Sequence, residues 1–128
     1  MFETLEIFRM AQGMATHAAA RHRVVAENIA NADTPGYRAR DLPAFAAQFR
    51  DTQDGFAMRQ TRAGHGANAT PSRIFRSHEQ KEAPQSPNGN SVSVEREMVH
   101  AVEATRQHDM AINVYRNALG ILRTSIGR

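Results

Sequence analysis

Cysteine and tryptophan are absent from this 128-residue chain, and lysine occurs once, as Lys81. Without cysteine there is no disulfide scaffold, thiol nucleophile, cysteine-ligated zinc or iron–sulfur cluster. Aromatic residues make up only 6% and apolar residues 41%, so the chain can bury a core, but a thin one. No apolar run approaches the roughly 18 residues that read as a transmembrane helix. The opening Met1-Phe2-Glu3-Thr4-Leu5-Glu6 has neither the basic region nor the apolar stretch of a cleavable secretory signal. The length fits one ordinary domain.

Charge of one sign is also scarce. The net charge is +3, and 15 of the 16 basic residues are Arg. They are dispersed from Arg9 to Arg128 with no run of three. A nucleic-acid binder concentrates its basic charge on one patch or stripe, so no nucleic-acid partner is expected. Arg is also favoured at protein interfaces, which leaves an interface role open.

Catalytic signatures are lacking as well. Gly64-His65-Gly66-Ala67-Asn68-Ala69 matches a loose dinucleotide pattern, but Asn-Ala-Thr-Pro supplies neither the strand nor the helix that the pattern needs. His17 and His22 are five apart, and His100 and His108 eight apart. Neither spacing puts two ligands on one helix face. Asn68-Ala69-Thr70 is a short glycosylation-like match of the kind chance supplies. No Gly-x-Ser-x-Gly, phosphate-binding loop or His-Glu-x-x-His is present. The chain is therefore expected to be no enzyme, with no cofactor, no metal and no small-molecule substrate.

What is present is helical periodicity. Residues 2–31 contain no Pro and one Gly. Leu5, Phe8, Ala11, Ala15, Ala18, His22, Val25 and Ile29 alternate at spacings of three and four, a coiled-coil-like seam. Residues 93–127 read the same way through Met98, Ala101, Thr105, His108, Ile112, Tyr115, Leu119, Leu122 and Ile126, widened by Val102, Val114, Ala118 and Ile121. Ser93 is the candidate N-cap, with Glu95 and Glu97 favouring the helix start, and Gly127 can end the helix. At about 1.5 Å per residue each helix is roughly 40–50 Å long, which suggests a hairpin or bundle. Between them, Asp41 to Arg50 reads as a short amphipathic helix capped by Asp41, with Leu42, Phe45 and Phe49 on one face. Residues 51–92 are poor in apolar side chains and punctuated by Gly, Pro, Ser and Asn, and read as a flexible segment.

The most specific stretch is Asn28-Ile29-Ala30-Asn31-Ala32-Asp33-Thr34-Pro35-Gly36-Tyr37. Two Asn three apart suit hydrogen bonding at a helix end. Thr34 precedes Pro and is pushed to extended geometry. Pro35-Gly36 fits the centre of a type II turn, where Gly supplies a positive φ, and Tyr37 can then fold back. This stretch strongly resembles the signature of the bacterial flagellar rod and hook axial proteins. Arg38-Ala39-Arg40-Asp41-Leu42-Pro43-Ala44-Phe45 is similar to the segment that follows the signature in a short proximal rod subunit. Asn88-Gly89-Asn90-Ser91-Val92-Ser93-Val94-Glu95-Arg96-Glu97-Met98 is similar to the family's Asp-Gly-Asn-Asn-Val-Asp-Leu-Asp-Lys-Glu-Met. Asn88, Ser91 and Ser93 depart from it, and Ser93 remains a competent cap.

The resemblance covers both terminal regions, and its implications are specific. The fold would be mainly α: one rod-type domain over 1–128, with 2–31 and 93–127 paired as an antiparallel coiled-coil-like hairpin. A signature turn and short helix (32–50) and the flexible segment (51–92) would lie between them. At this length there is no room for the β-rich insertion of distal rod and hook members. The function implied is that of a structural subunit of the basal-body rod, polymerising helically into the shaft that transmits torque. Another short rod subunit, or a helical export adaptor or chaperone, is the alternative. Implied partners are further copies of the chain, the rod subunits FlgC, FlgF and FlgG, the adaptor FliE, and the MS-ring and export gate. Implied location is the rod crossing the periplasm, after flagellar type III export without signal cleavage; Phe2 to Phe8 is the candidate export region. Leu5, Phe8, Ile29, Met98, Ile112, Tyr115, Leu119 and Leu122 would carry hairpin and subunit packing. Asn28, Ile29, Ala30, Asn31, Asp33, Thr34, Pro35, Gly36 and Tyr37 would shape the turn. The isolated subunit would be poorly ordered at its termini and gain order on assembly.

Overall fold

The computed structural model describes residues 2–53, 75–81 and 83–127. Two long helices dominate: α1, Phe2–Ala30, and α3, Val94–Ile126. Between them lie β1 (Arg40–Asp41), the short helix α2 (Phe45–Gln53) and β2 (His78–Glu79). The mainly helical fold with a pair of long terminal helices is the one the sequence implies.

The helices run antiparallel. Phe8 meets Tyr115 edge-on with ring centroids 5.1 Å apart, and His22 Nε2 lies 3.0 Å from Thr105 Oγ1. An early residue of α1 thus meets a late residue of α3, and the order reverses toward the other end. The Thr105 hydroxyl donates to the Ala101 carbonyl, so it accepts from the imidazole N–H. Ser93 caps α3 with its hydroxyl accepting from the Arg96 N–H, and Glu95 and Glu97 occupy the first turn, where the helix dipole favours acids. At the far end the Gly127 N–H donates to the Arg123 carbonyl.

The interior of the pair is built from small side chains. On α3 the buried apolar residues are Ala104, Ala111 and Ala118, and on α1 they are Ala11, Ala18, Val24 and Val25. Ala104, Ala111 and Ala118 recur every seven residues, as do Ala11, Ala18 and Val25, the spacing of an antiparallel coiled-coil contact. Alanine lets the backbones approach closely while costing little helix propensity. This corrects the sequence reading of α3. The large residues Met98 and Tyr115, taken as seam, are mostly exposed, and Ile29 on α1 is exposed too. The contact between the helices is shifted by one residue, about 100° around the helix, onto the Ala row. The signal was masked because Ala scores weakly beside Met, Ile and Tyr in any apolar stripe.

The short helix also differs. It begins at Phe45, not at Asp41. Pro43 drives Leu42 out of the helical region, and the Asp41 carboxylate is held by Arg21 instead of capping a helix. Residues 54–74 of the expected middle segment lie outside the described residues, and with them Phe56, Met58, Ile74, the Gly64–Ala69 stretch and the Asn68-Ala69-Thr70 match. Farther along, β2 pairs antiparallel with β1 in the register Arg40↔Glu79 and Asp41↔His78. The Gln80 N–H continues the pairing onto the Ala39 carbonyl.

Candidate functional site

The signature residues close the end of the hairpin. The Asn28 side chain is fully buried. Its Nδ2 donates to the Arg40 carbonyl at 2.7 Å, while its Oδ1 accepts from the Arg40 N–H at 3.1 Å. One amide therefore satisfies both backbone groups of the returning chain, as a neighbouring strand would. The Tyr37 hydroxyl donates to the same Oδ1 at 3.4 Å, and burial, with Glu27 nearby, pushes that phenol above its ordinary pKa. Asn31 Nδ2 donates back to the Glu27 carbonyl, and its Oδ1 accepts from the Thr34 hydroxyl.

Thr34 to Tyr37 forms the turn. The Tyr37 N–H reaches the Thr34 carbonyl at 3.3 Å, and Gly36 has φ +74°. That is the type II geometry Pro35-Gly36 favours. Ile29, Ala30, Asp33, Thr34 and Pro35 themselves are exposed. The Gly36 N–H donates to the Asn88 carbonyl at 3.0 Å. Opposite it, Gly89 has φ +80°, and a Cβ there would sit 3.4 Å from Gly36 Cα. Two glycine turns from distant parts of the chain are thus stacked backbone on backbone.

Asn90 locks them. It is buried, and its Nδ2 lies 2.9, 2.8 and 2.8 Å from the carbonyl oxygens of Asn31, Ala32 and Thr34. The Asn31 and Thr34 carbonyls also accept from the Thr34 and Tyr37 N–H groups, so Asn90 reinforces the turn that follows α1. Its Oδ1 accepts from the Val92 N–H. Ser91 completes the clasp: its N–H donates to the Tyr37 carbonyl and its hydroxyl accepts from the Ala39 N–H at 2.8 Å. Asn90 and Ser91 were not singled out as site residues by sequence reasoning. Their signal was the Asn88–Met98 resemblance, which does not say what those side chains bind.

Two further ties lie along one side of the pair. Arg21 spans Asp41 of β1 (Nε–Oδ1 3.2 Å, Nη2–Oδ2 3.4 Å) and Glu103 of α3 (3.3 Å). His17 Nε2 lies 2.9 Å from the Pro43 carbonyl. Met10, Ala11, Met14 and Val114, with Phe45, Ala46 and Phe49 of α2, line an open-sided apolar cavity of about 300 Å³.

The opposite side carries a long stripe. Phe8, Ala15, His22 and Ile29 recur every seven residues on α1. Met98, Thr105, Ile112, Leu119 and Ile126 recur every seven on α3, one position after the buried row. Tyr115 and Leu122 flank them. The Phe8–Tyr115 and His22–Thr105 contacts bring the two rows to one side. Met98 is 59% exposed and Ile126 79% exposed, and Phe8, Ile112, Leu119 and Leu122 are half-buried. Leu5 lies on α1, its side chain outside the described residues. Among the described helices and strands, α3 packs closely only against α1. Among the described residues no group of three or more His, Asp or Glu is placed to hold a metal.

Comparison with known proteins bears on the turn and the helix that leads into it. The family described as "Flagella basal body rod protein" matches residues 8–38, which hold the signature. The flagellar basal body rod protein FlgB of Agrobacterium fabrum (strain C58) is 32% identical over 111 residues, covering 84% of this chain and 83% of that protein. The chain belongs to the flagellar basal body rod protein family. FlgB of Escherichia coli (strain K12) is 34% identical over 104 residues, 74% of each chain. FlgB of Salmonella typhimurium (strain LT2) is 33% identical over 108 residues, 75% of each chain. In this rod-family chain the matched segment ends at Arg38, just past the type II turn, and the clasp from Asn88 to Ser91 lies outside it.

Proposed function

We propose that this chain is a structural subunit of the bacterial flagellar basal-body rod, with no catalytic role. The observation that carries the reading is the division of labour between the two faces. A pair glued by Ala11, Ala18, Ala104, Ala111 and Ala118 leaves Met98, Ile126, Ile29 and Tyr115 facing outward in one stripe. Burying such a side chain contributes roughly 1.5–3 kcal/mol, so a neighbouring subunit's helix gains most by lying along it. Head-to-tail contacts whose rotation does not close build a helical tube. The subunit would thereby join a shaft that carries torque.

The partners in this reading are copies of the chain, the rod subunits FlgC, FlgF and FlgG, FliE, and the MS-ring and export gate. The place is the proximal rod crossing the periplasm, reached by flagellar type III export. The lack of a described helix long and apolar enough to cross a membrane accords with a shaft subunit. Detection of the chain in purified basal bodies, with cross-links from Cys substituted at Met98 to a second axial subunit, tests the proposal. Recovery only in cytosolic complexes would sink it.

A further inference from the structure

On the Arg21 side of the helix pair, His17 touches Pro43, Phe45 of α2 and Phe75 before β2. It is 2% exposed. Its Nε2–H donates to the Pro43 carbonyl at 2.9 Å. Its ring stands edge-on to Phe45 of α2 (5.7 Å, 61°) and to Phe75 beside β2 (4.9 Å, 88°). Its other nitrogen, Nδ1, is buried with no hydrogen-bond partner. The charged groups around it are Arg21 on its own helix and Asp41 on β1; α3 brings the uncharged Gln107. Arg21 is already committed to Asp41 and Glu103, and Asp41, shared with it, is the weakest of the influences on His17.

From this geometry we infer that His17 is an acid-sensitive latch: its protonation releases α2 and Phe75 from α1 while the helix pair itself stays formed. A charged imidazole between two aromatic rings must find water or a counter-ion, and the Gln107 side chain and Asp41 offset its burial only in part. Between α2 and Met10, Met14 and Val114 lies the open-sided cavity of about 300 Å³, into which water can follow. The pair is held by its Ala row and by the clasp at the turn. Release would bare the half-buried Met14 and Val114 beside the exposed Met10 as a second apolar face.

The sign follows from linkage. Burial pushes His17 below the ordinary imidazole value, with Arg21 acting the same way and the Pro43 carbonyl opposing. The released form therefore binds the proton more readily. The closed form loses stability as pH falls below about 6.5, and the loss levels off once the closed form protonates too.

Hydrogen exchange of the full chain at pH 7.5 and 5.5, corrected for intrinsic rates, tests the latch. Expected is a several-fold loss of protection in α2 at pH 5.5, about tenfold at most for one proton, with α1 and α3 beyond His17 unchanged. His17→Phe and His17→Gln, which cannot titrate, are expected to abolish that pH dependence. The ¹⁵N signals of the His17 ring should titrate below the ordinary imidazole range, at the pH where the loss of protection levels off, a readout that needs no variant. Unchanged protection of α2 at pH 5.5, equal loss across both long helices, or the same pH dependence in both variants would each overturn the latch.

Discussion

Asn90 holds the end of α1 from 59 residues away, its Nδ2 lying 2.9 Å from the Asn31 carbonyl oxygen. The contact joins the segment entering α3 to the exit of α1 and fixes how the two helices meet. A buried amide hydrogen left without its acceptor, or an acceptor without its donor, costs about 1–3 kcal/mol. Asn90→Ala should therefore destabilise the chain by about that amount in urea unfolding. Asn90→Asp should cost more, because a carboxylate oxygen would then face three carbonyl oxygens. Equal stability of both variants and the natural chain would remove the clasp from the account.

Gly36 and Gly89 make a second prediction. No atom lies within 4 Å of a Cβ built on Gly36, so Gly36→Ala meets only the strain of φ +74°. That strain is worth about 1–2 kcal/mol. Gly89→Ala adds the close approach to Gly36 Cα at 3.4 Å. Its melting temperature should fall further than that of Gly36→Ala, and Gly36→Val should block rod assembly in a motility assay.

The Ala row gives the third. Ala111 is buried at the centre of the pair, and overpacking such a site costs about 1–3 kcal/mol. Ala111→Leu should lower the midpoint of thermal unfolding followed by circular dichroism. The same substitution at exposed Ala19 should change stability by no more than about 0.5 kcal/mol.

A fourth concerns where order resides. The clasp concentrates hydrogen bonds at one end of the hairpin, while the opposite end relies on Phe8–Tyr115 and a short C-cap. In the dilute chain, amide exchange should be slowest around Asn28–Ala39 and Asn90–Val94. It should be fastest in the first turns of α1 and the last turns of α3, and slow there on assembly. Uniform protection along both helices would contradict this.

The long helices were legible because periodicity and capping are local: a Pro-free run with a 3–4 repeat, and Ser93 before acidic residues. The turn was legible because Pro35-Gly36 states its own backbone preference. The face that α3 turns to α1 was not, since Met98 and Tyr115 outweigh Ala104 and Ala111 in hydropathy although only the small side chains admit a close partner. The roles of Asn90, Ser91 and Arg21 depend on partners from 20 residues away (Arg21–Asp41) to 82 (Arg21–Glu103). The two-residue ladder between β1 and β2 is too short to leave a pattern. The 3–4 seam read on α3 lies beside that Ala row as a stripe, half-buried at Ile112, Leu119 and Leu122 and exposed at Met98, Tyr115 and Ile126.

The central claim is that this stripe, and not the Ala row, joins subunit to subunit. The most direct measurement pairs stability with incorporation for a Met98→Lys, Ile126→Lys double variant. Both residues are exposed, so unfolding should shift by no more than about 1 kcal/mol, twice the usual surface effect. Incorporation into basal bodies, and with it motility, should be lost. A double variant of unchanged stability that still assembles normally would contradict the account.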